Sequence, residues 1–133
     1  MYGVLDDVCP VLPKEFPRYL MGVGVIDQLR TCVAKGIDMF DCVLPMRIAR
    51  HGTLILSDGS EIRITGSACK NDHAVIDADS PSELSRLHKR SYLHHLFKAG
   101  ERYAETIATK QNMAVTLKTM KELREAMDNN LSS

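Results

Sequence analysis

The stretch from Gly36 to Arg50, GIDMFDCVLPMRIAR, leaves this chain few architectures. Ile37, Met39, Phe40, Val43 and Leu44 make a nearly continuous apolar run, the pattern of a strand covered on both faces in a parallel sheet. Asp41 interrupts the run, and a carboxylate in such a strand costs several kcal/mol in desolvation unless it is paired or put to work. Pro45 stops the strand. Arg47 and Arg50 follow at i, i+3 spacing near a strand end, where the catalytic loops of α/β barrels sit. From the residues alone Asp41 has two readings, a working carboxylate or one that caps a loop or pairs with Arg47. Asp38, on the other strand face by period-two alternation, reads as structural. Cys42 has no convincing His partner near in sequence and reads as a packed thiol.

The flanking segments extend the same pattern. Met1 to Cys9 has Tyr2, Val4, Leu5 and Val8 at helical spacing, and Pro10 and Pro13 end it. Arg18 to Val25, RYLMGVGV, reads as a short apolar strand closing on Gly22 and Gly24, residues that let a backbone approach a ligand. Asp27 to Lys35 is an amphipathic helix stopped by Gly36. Strand, helix and strand make one βα crossover, the unit of a (β/α) barrel. Beyond Arg50, Thr53 to Leu56 and Glu61 to Thr65 flank Ser57-Asp58-Gly59-Ser60 as a hairpin, and Gly66 to Asp79 is polar and loop-like. The periodicity predicts a helix over Glu83 to Ala99 capped by Gly100, and another from about Asn112 to Met127. The stripe Met113, Leu117, Met120, Leu123 and Met127 on the latter reads as packing, and Asp128 to Ser133 as a frayed end.

Composition excludes several functions. With 133 residues the chain can bury a core, and with 17 basic and 17 acidic residues it has no global field to draw it to nucleic acid or membrane, so any RNA contact is local. Cys9, Cys32, Cys42 and Cys69 show no zinc-site spacing, and nothing resembles a signal peptide, so a reduced, cytoplasmic protein is expected. No stretch approaches a membrane span.

DMFDCVLP followed by a basic RxxR resembles the nucleophile segment of the tRNA-guanine transglycosylases, or queuine tRNA-ribosyltransferases. PRYLMGVG at Pro17 to Gly24, SYLHHLFKAGE at Ser91 to Glu101 and a closing helix ending KELREAM are similar to the same family in the same order. The resemblance implies an α/β chain, the C-terminal portion of a (β/α)8 TIM-like barrel over residues 1–52 with a helical subdomain and a small β-hairpin over 53–133. It implies base exchange at a tRNA wobble nucleotide, with Asp41 as the nucleophile that forms a covalent ester with the ribose. It puts Met21 and Gly22 in the wall of the guanine pocket, although a core Met and a turn glycine remain an equal reading of the residues. Gly24, Met46, Arg47 and Arg50 are implied to contact tRNA, against the alternative of two solvated charges for the arginines.

The chain departs from the family in three places. Its loop is MRIARHG where the family usually has TRNARNG, so Met46, Ile48 and His51 replace polar residues. After Gly24 stands VIDQ, not a lysine or threonine followed by Pro-Glu-Asp. The family's structural zinc, held by CxCxxC and a distant His, meets Ser80, Ser82, Ser85 and Gln111, which are poor zinc ligands, so no metal and no other cofactor is expected. Ser80-Pro81-Ser82-Glu83 fits a capping box instead, with Ser80 accepting from the Glu83 amide. Because the family's acid/base aspartates and much of its barrel are not in this chain, it is not expected to catalyse alone. The expected partners are tRNA and either the remaining barrel half or further copies of the chain. The alternative is a non-catalytic tRNA-binding or interaction subunit, or a truncated relic.

Overall fold

The computed structural model describes residues 1–131, and the expectation for Ser132 and Ser133 lies outside the described residues. Helix and strand are mixed, and the chain forms two compact units.

The first unit comprises Met1–Leu44 and the end of the last helix from Thr119. Helix α1 (Tyr2–Val8) runs into a 3-10 turn (Cys9–Val11), where Pro10 ends regular helix. Strand β1 (Tyr19–Met21), helix α2 (Ile26–Ala34) and strand β2 (Met39–Asp41) form the expected crossover. The strands are parallel, with Tyr19 opposite Met39, Leu20 opposite Phe40 and Met21 opposite Asp41. Each strand is shorter than its apolar run, because Gly22 turns the chain at φ +74° and helix α3 (Leu44–Arg50) begins just after β2. Asp38 is structural, accepting the Arg18 amide at 2.8 Å. Leu5, Cys9, Val23, Ile26, Leu29, Cys32, Val33 and Ile37 are buried.

The two-sided burial expected of β2 is not found. Tyr19, Met21, Met39 and Asp41 share one face by alternation, and all four are exposed. Among the described residues no layer covers this face, although parallel strands are commonly covered on both.

The second unit, Pro45–Lys118, holds the remainder. Pro45 lies in the first turn of α3, where its missing N–H costs nothing, so the residue that stops the strand also opens a helix where a loop was expected. Strands β3 (Thr53–Ile55) and β4 (Glu61–Arg63) make the expected antiparallel hairpin, its turn tied by Asp58, which accepts the Ser60 amide at 2.9 Å and hydroxyl at 2.6 Å. Ala49, Leu54, Ile64, Cys69, Ile76, Leu93, Leu96, Ala104, Ile107 and Ala108 form the core.

The helix expected over Glu83 to Ala99 is two, α4 (Glu83–Leu87) and α5 (Arg90–Ala99). His88 and Lys89 are extended because their segment pairs with another strand-like stretch: Ile76 N donates to His88 O and Arg90 N to Ala74 O, each at 2.9 Å. Gly100 caps α5 at φ +72°, as expected. Helix α6 (Arg102–Leu131) starts ten residues early and includes Asp128, which was expected to fray. The methionine stripe packs only in part: Met120, Leu123 and Met127 line a cleft with Val33 and Ile37, whereas Leu117 is 62% exposed.

Candidate functional site

At the C-terminal end of the parallel pair, Met21 and Asp41 are register partners, and Gly22 follows immediately. The Gly22 N–H is shared between the Asp41 carbonyl at 2.9 Å and its Oδ1 at 3.2 Å. That bifurcated bond fixes a solvent-facing carboxylate beside the backbone of Met21 and Gly22, so three of the sequence-predicted residues meet at one strand end. Gly24 is buried in the loop behind them.

Tyr19 belongs to the same place and was missed. Hydrogen bonding to the Asp41 carboxylate, followed by partial desolvation and repulsion from that charge, holds the phenol above its ordinary pKa and keeps it a proton donor. Its signal was present, since Tyr19 and Met21 fall on one face by period two. Cys42 is half-buried and its Sγ accepts from Leu44 N at 3.3 Å, while burial pushes the Cys32 and Cys69 thiols up. All four cysteines are free.

In the second unit Met46, Arg47 and Arg50 are exposed on α3. Met46 and Arg50 line an open groove of about 420 Å³ with Glu105, Thr106, Thr109 and Lys110 of α6. His51 bonds the Arg47 carbonyl through Nδ1 at 2.8 Å, so the residue that replaced a polar family position closes the end of the helix. Lys110 was missed because the last helix was expected to begin only at about Asn112, whereas α6 starts at Arg102.

Two buried amides hold α6 to the rest of this unit. Asn112 accepts from Ile55 N at 2.7 Å and donates to Pro45 O at 2.9 Å and Thr53 O at 3.0 Å. Gln111 donates to Ile55 O and Asp77 Oδ2, both at 2.8 Å, and accepts from the Ser80 hydroxyl at 2.5 Å. Asp77 also takes the Ser57 amide and hydroxyl, each at 2.7 Å. Ser80 is not a helix cap: its Oγ accepts the Ser82 amide at 3.0 Å, and the N-cap of α4 is Ser82, without a side-chain cap bond. The capping box fails because α4 begins after Ser82, two residues beyond Ser80, and the Ser80 oxygen accepts the Ser82 amide and not that of Glu83.

A family model described as Queuine tRNA-ribosyltransferase matches residues 1–132. The chain belongs to the queuine tRNA-ribosyltransferase family. It is 44% identical to the queuine tRNA-ribosyltransferase of Brucella suis biovar 1 over 99% of its own length and 35% of the relative's. It is 42% identical to that of Ruminiclostridium cellulolyticum over all of its length and 36% of the relative, and 38% identical to that of Roseiflexus sp. over 96% and 32%. The chain thus spans about a third of the length of the curated relatives it matches. No helix among the described residues is long and apolar enough to cross a membrane.

The structural zinc implied by queuine tRNA-ribosyltransferase resemblance can be tested against these residues, and they do not fit it. Ser80, Ser82, Ser85 and Gln111 supply neutral hydroxyls and an amide, and Ser80 and Gln111 are already bonded to each other. Ser85 is fully buried with no partner for its hydroxyl, a cost of about 1–3 kcal/mol that an anionic ligand environment would not carry. Among the described residues no group of three or more His, Cys, Asp or Glu could hold a metal ion.

Proposed function

We propose that the chain supplies the nucleophile and part of the RNA-gripping surface of a tRNA-guanine transglycosylase, which exchanges guanine for a queuine-type base at the anticodon wobble position. It does so as the C-terminal part of a TIM-like barrel whose remaining strands, present in the longer relatives, complete the pocket. The observation that carries this reading is the exposed Asp41 carboxylate at the end of β2, held by the Gly22 amide beside Met21.

An Asp41 oxygen attacks C1′ of the wobble ribose, and the C1′–N bond to guanine breaks with its electron pair leaving on the base. The proton for the departing guanine comes from a general acid on the upstream part of the barrel. A ring nitrogen of the incoming base then gives its proton to the conjugate base of that acid and attacks C1′, and the ester C–O bond breaks, returning its electrons to the carboxylate. Two inversions give retention. Tyr19 keeps its proton beside the carboxylate, while Met21 and Gly22 line the base, and Gly24, Met46, Arg47 and Arg50 meet the RNA.

The test is base exchange into tRNA by this chain combined with the remaining N-terminal part of a relative. Asp41→Asn keeps the shape and removes the nucleophile, so the covalent adduct on denaturing gels and the exchange should both be lost. An adduct formed by Asp41→Asn at the parent rate removes the assignment. Should the parent assembly never exchange base yet bind tRNA, the non-catalytic tRNA-binding reading replaces it.

A further inference from the structure

We infer that two of the four positions at which the resemblance places the family's zinc, Ser80 and Gln111, have joined Asp77 and Ser57 in a metal-free hydrogen-bond clasp that ties the loop before α4 to α6 and the hairpin. The inference is independent of base exchange. It starts from the burial of the set: Ser80, Ser82, Ser85, Gln111 and Asp77 are all buried, Ser85 and Gln111 completely. Buried polar groups of this kind are retained only when their hydrogen bonds close on one another. Here they do. Gln111 uses its amide on Ile55 O and Asp77, and its carbonyl on Ser80. Asp77 divides its oxygens among Ser57 N, Ser57 Oγ, Gln111 Nε2 and Asp79 N. Arg86 adds a bond to Ser80 O at 2.6 Å, which fixes the loop from the α4 side. The bonds of Gln111 and of Ser57 join segments far apart in sequence, the task a structural metal performs.

Ser82 N lies on Ser80 Oγ at 3.0 Å, Ser85 N bonds Ser82 O at 3.2 Å, and Gln111 reaches Ser80 from α6. Ser85 is the exception that exposes the arrangement: its hydroxyl has no partner, so it fills space in the clasp and bonds nothing. The clasp should therefore depend on Gln111 and be indifferent to the Ser85 hydroxyl.

Zinc content and thermal unfolding of the full 133-residue chain decide this. After dialysis against EDTA the parent should hold far less than one zinc per chain and unfold at the same temperature as before. Gln111→Ala should lower Tm by on the order of 5 °C or more, and Ser85→Ala should leave it unchanged or raise it. One zinc, calcium or magnesium retained by the parent, or a parent Tm that falls in EDTA, overturns the clasp, as does Gln111→Ala without effect. If Gln111→Ala does not fold, the parent's chelator response and Ser85→Ala decide the proposal.

Discussion

Asp77 shows how one residue can set a pH limit on this fold. Its burial pushes the carboxyl up, but bonds from the Ser57 hydroxyl and amide, the Gln111 amide and the Asp79 amide outweigh that and hold it below the ordinary carboxylate range. A carboxyl whose folded pKa is depressed stabilises the native state fully above its unfolded pKa, near about 3.9, and loses that contribution as pH falls toward the folded value. Denaturation monitored by circular dichroism should therefore show stability flat near neutrality and falling below about pH 5. Asp58 and Asp72 are depressed too, so the comparison that isolates Asp77 is Asp77→Asn, which should be less stable at pH 7 and have a shallower acid limb. An acid limb identical to the parent's counts against it. None of this was legible in the sequence, where Asp77 stood in a polar stretch and its partner Gln111 lies 34 residues away. Asp41 was legible because a carboxylate in an apolar strand is a local contradiction, whereas Tyr19 could be put on the face of Met21 by period two but beside Asp41 only through the register of the two strands.

At the scale of elements, α3 and α6 build the groove we propose for RNA. The basic segment read as a loop is a helix, so Arg47 and Arg50 have fixed positions, and Lys110 joins Arg50 in the groove while Glu105 opposes them. Arg50→Ala and Lys110→Ala should each weaken tRNA binding and flatten the dependence of log K on log salt by about 0.7 for each phosphate left without its cation. Filter binding from low to moderate salt reads the slope, and unchanged slopes in both variants would mean that the groove does not hold the backbone. Asn112 supports α3 from below through the Pro45 carbonyl and also bonds β3 on both sides. Asn112→Ala removes three bonds and strands buried partners, so a loss of about 3 kcal/mol in urea unfolding is expected. A loss under about 0.5 kcal/mol would show that water replaces the amide. The helices themselves were only partly legible. Periodicity found α2, α5 and the end of α6, but the break at His88 and Lys89 comes from pairing with Ala74 and Ile76, a long-range demand that overrides local propensity.

At the scale of the molecule, what decides behaviour is the open face of the β1 and β2 pair. Tyr19 is 52% exposed, Met21 72% and Met39 51%, on a parallel sheet of two strands, and parallel sheets are otherwise covered on both faces. The chain spans about a third of the length of these relatives, and on the proposed function the rest of that length would cover this face. The chain by itself should then associate through exposed apolar surface, its scattering mass rising with concentration in the micromolar range. Met39→Asp should lower that association by placing a charge in the patch without disturbing a buried side chain. Adding the N-terminal part of the Brucella suis relative should replace self-association by a defined heterodimer, with slower amide exchange at Leu20 and Phe40. A chain that stays monomeric at every concentration and ignores the added part has an exposed face that is stable in water. The surface would then belong to no barrel, and Asp41, at its edge, would have no pocket in which to work.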